Sequence, residues 1–376
     1  MKRVLHVIDA NCSWIRSLVQ ALPSTWYVRQ YRIYNPQWLP SGKFDLLRVF
    51  RTHKISESND EVFCVIPGWN KFPFLSAQIL QFRLRSSLAV ASDRSTVLFT
   101  FPFYSSVAAW IRNRFPAVKV VYYSHDPFEF YDYPEGYIRT HEDRLVPLCH
   151  HVFAISEKLR ADLQLRYPSV QVDVLGNGVS DNFLKSSEGE LLPKDLITIN
   201  ALGSPIVGVV GQINKTYDWV LLESAAEVNQ QMQLVFIGNL FEEGEITERI
   251  KLFFQRDNVH WLGAKPHNEL KAYMDSFDIL LNPLAVNPQS DRRDPLRLYD
   301  YLSSKALIIS TSVSSAFRHS KFIQIFSTTA EIVNVLGRSP LPLSDDELSQ
   351  RSAYISNNTW HNRGDQLAQL ISSFGR

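Results

Sequence analysis

Short runs of β-branched and aromatic residues alternate with longer amphipathic segments along the first half of the chain. The runs are apolar on both faces, which is typical of strands in a parallel sheet that helices cover on both sides. The predicted strands are RVLHVI (3–8), WYVRQYRI (26–33), VFCVI (62–66), TVLFTF (96–101), KVVYY (119–123), HVFAIS (151–156) and VQVDVL (170–175), and the predicted helices cover 71–90, 104–114, 137–148 and 157–167.

The alternation stops at residues 181–204, which carry Ser, Gly, Pro and mixed charges without a period, and we predict a linker there. A second series of strands and helices follows the linker. Its predicted strands are PIVGVVG (205–211), QLVFIG (233–238), NVHWLG (258–263), FDILLNPL (277–284), ALIIST (306–311) and IQIFS (323–327), with helices at 217–229, 245–256, 266–275, 295–304 and 328–337.

The two series predict an α/β protein made of two Rossmann-like domains that face each other across a cleft. The predicted boundaries are an N-terminal domain over 1–180, the linker over 181–204, a C-terminal domain over 205–343 and a helical segment over 344–376. Ligands of such folds bind at the carboxyl ends of the strands, so we expect the functional site there.

The composition is that of an ordinary enzyme, and it narrows the range of partners. The 376 residues are 45% hydrophobic and 20% charged, with a formal net charge of +1, so the chain lacks the basic field of a nucleic-acid binder. The three cysteines, at positions 12, 64 and 149, form no CxxC pair and no cluster with histidine. This pattern argues against a disulfide framework and against a metal site. We expect neither a signal peptide nor a membrane span, and we expect a cytoplasmic protein.

The phosphate-binding motifs of dehydrogenases and nucleotide kinases are absent. The turn after the first strand, DANCSW (9–14), has no glycine, and GVVGQI (208–213) has two at a spacing that differs from GxGxxG. No GxxxxGK[ST] motif occurs.

The segment DPLRLYDYLSSK (294–305) predicts a helix with one polar face. Asp294 can cap it and Pro295 suits its first position. Arg297 in the first turn, next to free amide groups, favours an anion such as a nucleotide diphosphate, and Asp300 one turn later can accept hydrogen bonds from ribose. The alternative is a surface ion pair between Arg297 and Asp300.

The ordered set of motifs from about 150 to 311 resembles glycosyltransferase family 4 and related glycosyltransferases of the GT-B fold. The motifs are HVFAISEKLRADLQLRYPSVQVDVLGNGVSDNF (151–183), VGVVGQINKTYDWVLL (207–222), NVHWLGAKPHNELKAYMDSFDILLNPL (258–284) and DPLRLYDYLSSKALIIST (294–311). The resemblance implies that a nucleotide-sugar donor binds to the second half and the acceptor to the first. The donor-binding residues that it implies are Gly211, Gln212, Lys215, Gly263, Asp294, Arg297, Leu298 and Asp300.

Several positions depart from the family pattern. Arg292 replaces the common carboxylate eight residues before Asp300, and Ser304 replaces a glycine. Gln212 stands where many members carry Arg, and Lys215 is the alternative source of that charge. With these departures, the sequence resembles a divergent subgroup that contains teichuronic-acid and xanthan-type glycosyltransferases.

The catalytic candidates lie in KVVYYSHDP (119–127), at the carboxyl end of a predicted strand. Asp126 resembles the general base of the xanthan-type relatives, since an acceptor hydroxyl attacks well only after it loses its proton. His125 is the rival base, and both residues serve equally as turn or cap residues in a structural interpretation. We expect no metal, because cations and helix dipoles hold the leaving diphosphate in the GT-B fold.

Residues 71–90 mix apolar residues with Lys71, Arg83 and Arg85 and contain no acid. Such a helix either contacts anionic lipid at the inner face of the membrane or packs on the domain core with a basic outer face.

The sequence therefore predicts a nucleotide-sugar-dependent glycosyltransferase without a cofactor, with a UDP-sugar preferred over a GDP-sugar as donor. The acceptor is a saccharide or lipid-linked saccharide of surface polysaccharide biosynthesis. One alternative is a GT-B-fold nucleotide-sugar epimerase. The other is a non-catalytic scaffold subunit, which the missing glycine loop and Arg292 favour. Retention and inversion of the sugar configuration both stay open.

Overall fold

A computed structural model describes residues 2–32, 53–54, 61–62, 73–185, 191–241, 246–338 and 341–373. The chain forms two compact units, the first made of Met1–Gly176 and Trp360–Arg376 and the second of Asn177–Thr359. The predicted strand at 62–66 and the start of the predicted helix at 71–90 lie partly outside the described residues.

The first unit is built on a parallel six-stranded sheet in the order β2-β1-β5-β6-β7-β8. A two-residue antiparallel pair, β3 with β4, accompanies it. Its strands are β1 (Arg3–Ile8), β2 (Trp26–Tyr31), β3 (His53–Lys54), β4 (Glu61–Val62), β5 (Ser95–Phe99), β6 (Lys119–Ser124), β7 (His151–Ala154) and β8 (Val172–Val174). Every residue of β5 and β7 is buried, as expected for strands covered on both faces.

Four helices of the first unit follow the predicted segments closely, whereas the helix after the first strand was not predicted, and one more comes from the end of the chain. They are α1 (Ser13–Gln20), α2 (Pro73–Ala91), α3 (Ser105–Arg114), α4 (Tyr137–Leu145), α5 (Glu157–Arg166) and α14 (Trp360–Ser373). Gly364 lets α14 approach the end of α1, because a Cβ atom at this position would lie 2.3 Å from the carbonyl oxygen of Ala21. The close approach of backbones therefore depends on this glycine.

The second unit contains another parallel six-stranded sheet, in the order β11-β10-β9-β12-β13-β14. Counted within the unit this is the order 3-2-1-4-5-6 of a Rossmann domain. Its strands are β9 (Ile206–Val210), β10 (Gln233–Ile237), β11 (Val259–Trp261), β12 (Ile279–Asn282), β13 (Leu307–Thr311) and β14 (Gln324–Phe326).

Helices cover the second sheet on both faces and bury one apolar core. They are α6 (Ile197–Asn200), α7 (Trp219–Val228), α8 (Ile246–Phe253), α9 (Leu270–Asp275), α10 (Pro288–Arg292), α11 (Leu296–Tyr301), α12 (Thr329–Leu336) and α13 (Asp345–Ser356). Reciprocal hydrogen bonds between Thr328 and Glu331 begin α12, and those between Ser344 and Glu347 begin α13 in the same way. None of the described helices combines the length and apolar character that a membrane span needs.

The unit boundaries differ from the predicted domains at two places. The predicted linker 181–204 lies inside the second unit, where Phe183 and Leu196 are buried in the core. The predicted helical segment 344–376 is divided, because α13 belongs to the second unit and α14 to the first. Periodicity shows that a segment is helical, but the core on which a helix packs depends on contacts far along the chain.

Each sheet has one strand at which the direction of chain winding reverses. In the first unit β1 lies between β2 and β5, and in the second β9 lies between β10 and β12. The carboxyl ends of such strands are the usual ligand sites of open α/β sheets. Asp9 follows β1 directly and Gly211 follows β9 directly.

Candidate active site

Three glycines bring backbone segments close together at the carboxyl edge of the second sheet. Gly211 has a φ of 128°, Gly238 a φ of 150° and Gly263 a φ of 71°, all in the region that favours glycine. A Cβ atom on Gly238 would lie 1.9 Å from the carbonyl oxygen of Gly211, and one on Gly211 would lie 3.2 Å from Nη2 of Arg297. The glycines therefore leave room for the arginine side chain at the end of β9.

Arg297 is oriented by an aromatic side chain from the turn after β9. Its Nη1 donates a hydrogen bond of 2.8 Å to the hydroxyl of Tyr217, and its Cζ lies 4.8 Å from the centroid of that ring. The guanidinium is half-buried. Tyr217 was not among the predicted site residues, and its sequence position 80 residues away carried no signal for this contact.

The alternative interpretation of Arg297 as a surface partner of Asp300 does not hold. Among the described residues no ion pair joins the two, and the carboxylate of Asp300 has no hydrogen-bond partner there. Asp300 is half-buried, and burial raises the pKa of its carboxyl group to about 8. Its oxygens are therefore left for a ligand.

The predicted cap at Asp294 is wrong. The helix α11 is shorter than the predicted 295–304, its N-cap residue is Pro295, and no side chain caps it. The buried Oδ2 of Asp294 instead accepts hydrogen bonds of 2.8 Å from the backbone amide of Asn177 and from the hydroxyl of Tyr299. Arg318 lies 3.6 Å from the same oxygen. Asp294 thus anchors the segment before α11.

The remaining predicted donor-binding residues divide into accessible and buried ones. Gln212 and Lys215 are exposed on the turn after β9, and Gly263 has open space around its Cα atom. Leu298 is 0% exposed in the core of the second unit, so its side chain is not available to a ligand. Arg292, the departure from the family pattern, is half-buried and donates a hydrogen bond of 2.8 Å to the carbonyl oxygen of Pro288.

An exposed tryptophan beside the glycines was missed by the sequence analysis. The side chain of Trp261, at the end of β11, is 47% exposed, and its Nε1 donates a hydrogen bond of 2.9 Å to the carbonyl oxygen of Gly238. A large aromatic residue at the last position of a short strand was the available signal. Its indole provides an apolar surface at the same edge of the sheet.

At the carboxyl edge of the first sheet, β6 ends at Ser124 and is followed by His125 and Asp126. His125 is buried, with its ring centroid 5.0 Å from that of Phe128, and its Nδ1 accepts a hydrogen bond of 3.3 Å from Nε1 of Trp14. Burial lowers the pKa of His125 to about 4, so the ring is neutral near pH 7. The structure encloses His125 and leaves Asp126 half-exposed.

Asp126 accepts a hydrogen bond of 2.9 Å from the hydroxyl of Tyr131 at Oδ2. A second carboxylate, that of Asp9, lies at the same edge of the sheet, because β1 and β6 both pair in parallel with β5. Burial together with these two charges raises the pKa of Cys12 to about 12. The turns after β1 and β6 therefore bring two carboxylates to the same edge.

Asp9 was missed as a site residue. Its φ of 70° is the only positive φ of a non-glycine residue in the described part of the chain. The hydroxyl of Tyr104 donates a hydrogen bond of 3.1 Å to its Oδ2, and burial raises the pKa of its carboxyl group to about 6 despite that bond. The sequence analysis noted that the turn lacks glycine, and Asp is one of the residues that tolerate this backbone conformation.

Within the described residues, no group of three or more His, Cys, Asp or Glu side chains is arranged to hold a metal ion. The helix α2 packs Leu80, Leu84 and Leu88 on the core of the first unit. Its outer face nevertheless exposes Phe74 and Phe82, each to 75%. The core-packed interpretation therefore holds for the inner face of this helix, and the contact with anionic lipid stays a prediction.

Comparisons with known proteins identify the relatives of this chain. Residues 31–183 match the sequence model of Glycosyltransferase Family 4. A Bacillus subtilis protein named as a teichuronic acid biosynthesis glycosyltransferase, TuaH, is 20% identical over 186 residues, which cover 49% of this chain and 46% of that protein. The match thus spans about half the length of this relative.

Several solved structures share the fold over the full length. A UDP-forming α,α-trehalose-phosphate synthase from Burkholderia xenovorans has a TM-score of 0.74 at 12% identity, with 100% of both chains covered. Anabaena HepE in complex with UDP has a TM-score of 0.68 at 15% identity and covers 99% of this chain and 100% of its own. Sucrose-phosphate synthase from Thermosynechococcus elongatus has a TM-score of 0.69 at 14% identity, with 99% and 98% covered. The chain is therefore similar to family 4 glycosyltransferases over residues 31–183 and has the GT-B fold that its sequence predicted.

Proposed function

We propose that the chain transfers a sugar from a nucleotide-diphosphate-sugar, preferentially a UDP-sugar, to a hydroxyl group of a saccharide or lipid-linked saccharide in surface polysaccharide biosynthesis. The observation that carries the proposal is the placement of Arg297. A half-buried arginine lies against the glycine turn at the end of β9, with its orientation set by Tyr217. The complex of Anabaena HepE with UDP, and the name of the Bacillus subtilis relative, support the donor and the polysaccharide role.

Arg297 is the group that binds the donor diphosphate in this proposal. As the bond between the anomeric carbon and the diphosphate breaks, negative charge grows on the leaving oxygen, and a fixed guanidinium stabilises that charge without reorganisation. The carboxyl group of Asp300 accepts hydrogen bonds from the ribose hydroxyls. No metal enters this account.

Asp126 is the general base. It takes the proton of the acceptor hydroxyl, whose oxygen then forms a bond to the anomeric carbon while the diphosphate leaves with the electron pair of the broken bond. The half-exposed position of Asp126 and the hydrogen bond that it accepts from Tyr131 support this role over His125. His125 is buried and neutral, so it supports the turn behind the base.

Release of free nucleotide tests the function. UDP-glucose, UDP-N-acetylglucosamine, UDP-glucuronate and GDP-mannose are each incubated with the protein, with and without a panel of octyl glycosides as acceptors. Acceptor-dependent release of nucleotide supports the transferase and is expected to persist in EDTA. Conversion of the sugar without release would identify an epimerase, and binding without turnover a scaffold.

A lipid-linked acceptor places the protein at the cytoplasmic face of the membrane, and α2 supports such a contact. Phe74 and Phe82 lie two turns apart on one exposed face, and α2 carries Arg83 and Arg85 but no acidic residue. Sedimentation with vesicles of phosphatidylglycerol and phosphatidylcholine tests this contact. Phe74→Ser/Phe82→Ser should lose binding, whereas Leu165→Ser, on the exposed face of α5, should retain it.

A further inference from the structure

Asp9 occupies the position at which a ligand is expected in the first unit. It follows β1, the strand at which the winding of the first sheet reverses, just as Gly211 follows β9 in the second. In the second unit this position is held by a glycine beside an arginine. In the first unit it is held by a carboxylate.

The backbone of Asp9 stays in an unfavourable conformation that a glycine would adopt at no cost. The φ of 70° is enforced from both sides, since the amide of Asp9 donates a hydrogen bond of 2.9 Å to the carbonyl oxygen of Tyr31. The hydroxyl of Thr100 donates one of 2.8 Å to the carbonyl oxygen of Asp9. Strain of this kind persists at functional positions, where the side chain has a use that glycine lacks.

The surroundings of the Asp9 carboxylate fit a hydroxyl-rich ligand. Oδ2 accepts the hydrogen bond from Tyr104, whereas Oδ1 accepts none from the described residues, and the side chain is half-exposed. Tyr104 follows Phe103, whose ring centroid lies 5.5 Å from that of Tyr133, and the half-exposed ring of Tyr133 stacks on that of Tyr137 at a centroid distance of 5.6 Å. A carboxylate oxygen beside aromatic faces is suited to the hydroxyl groups and apolar face of a sugar ring.

We propose that Asp9 is an acceptor-binding residue, whose Oδ1 accepts a hydrogen bond from a second hydroxyl of the acceptor saccharide while Asp126 deprotonates the attacking one. Tyr104 and the backbone bonds to Tyr31 and Thr100 hold the carboxylate in place. This inference rests on the proposed function, and it assigns to Asp9 a role that neither donor binding nor proton transfer covers.

The decisive variant is Asp9→Gly, because the two roles of Asp9 predict opposite effects. If the side chain serves only the fold, Asp9→Gly lowers the melting temperature and leaves acceptor use unchanged. If it binds the acceptor, Asp9→Gly keeps or raises the melting temperature, because the backbone strain is relieved. In that case Asp9→Gly also raises the half-saturating concentration of an active octyl glycoside by about ten- to a hundredfold, which corresponds to the loss of one charge-assisted hydrogen bond.

Further variants and a direct binding measurement complete the test. Asp9→Asn should also raise the half-saturating concentration, and Asp93→Asn, an exposed aspartate of the same unit, should behave as wild type. UDP binding should be unchanged in both Asp9 variants. Unchanged acceptor half-saturation in Asp9→Gly and Asp9→Asn would overturn the inference.

If the wild-type protein releases no nucleotide with any acceptor, the proposed function fails. Saturation-transfer NMR with the same octyl glycosides then still tests Asp9. Binding by the wild type that is lost in Asp9→Gly supports the inference. Equal binding by both proteins, or no binding by the wild type, overturns it.

Discussion

The guanidinium of Arg297 is held on Tyr217, with Cζ 4.8 Å from the ring centroid and Nη1 2.8 Å from the hydroxyl oxygen. An arginine with this support loses little further side-chain freedom when an anion binds. The turn that carries Tyr217 and the glycine at position 211 thus fix the orientation of the arginine, which in the proposed function binds the diphosphate.

We predict that Arg297→Ala weakens UDP binding by about ten- to a hundredfold and lowers kcat, because a charge-assisted hydrogen bond contributes about 1.5–3 kcal/mol. Arg297→Lys should recover only part of the loss, since an ammonium group cannot reproduce the planar fork. Calorimetric titration of UDP measures both variants. Arg249→Ala, which removes an exposed partner of Glu223, is the control. Wild-type affinity in Arg297→Ala would exclude this residue from the donor site.

Asp126→Asn should fold and bind UDP normally while kcat falls by about 10²–10⁴-fold, the usual contribution of a positioned general base. His125→Gln should instead lower the melting temperature, because the buried ring packs against Phe128 and accepts the hydrogen bond from Trp14. Steady-state kinetics and thermal denaturation separate the two effects. Normal turnover by Asp126→Asn would show that Asp126 is not the general base.

Gly238→Ala should lower the free energy of unfolding by about 3 kcal/mol or more, because its Cβ would overlap the carbonyl oxygen of Gly211 at 1.9 Å. Gly203→Ala is the matched comparison, since its φ of 67° is also positive but its Cβ would meet nothing within 4 Å. This variant should lose only about 1–2 kcal/mol, the strain of the backbone conformation. Urea denaturation measures both. Equal losses would show that the close approach of Gly238 and Gly211 does not matter.

The half-buried carboxyl group of Asp300 should make the free energy of unfolding fall as the pH rises. Burial raises its pKa from 3.8 to about 8 in the folded protein, so over this range the unfolded chain releases the proton that the folded protein retains. The contribution of Asp300 to the free energy of unfolding therefore decreases from pH 4 to about pH 8. Above about pH 8 this contribution no longer changes with pH. The gain in melting temperature of Asp300→Asn over wild type should be near zero at pH 4 and grow toward pH 8. A gain that does not vary with pH would contradict the raised pKa.

Much of the fold follows from local pattern. Strands that are apolar on both faces, separated by helical periods, predicted β9 at 205–211 and α5 at 157–167, and the structure has Ile206–Val210 and Glu157–Arg166. The ordered motifs between 150 and 311 predicted the GT-B relatives. These features depend on neighbouring residues, which a single sequence contains.

The tertiary structure decided what the site residues touch. Asp294, which the sequence predicted to be a helix cap, is buried and hydrogen-bonded to Asn177, and the side chains of His125 and Leu298 are buried. The last two helices belong to different units. The tertiary structure also identified Asp9 as a candidate ligand-binding residue, through its backbone angle and its place in the strand order, since no sequence motif marks this position. The physical reason is separation along the chain: Arg297 contacts Tyr217 across 80 residues and Trp14 contacts His125 across 111, and such pairs form only when the strands between them have found their order in the sheet.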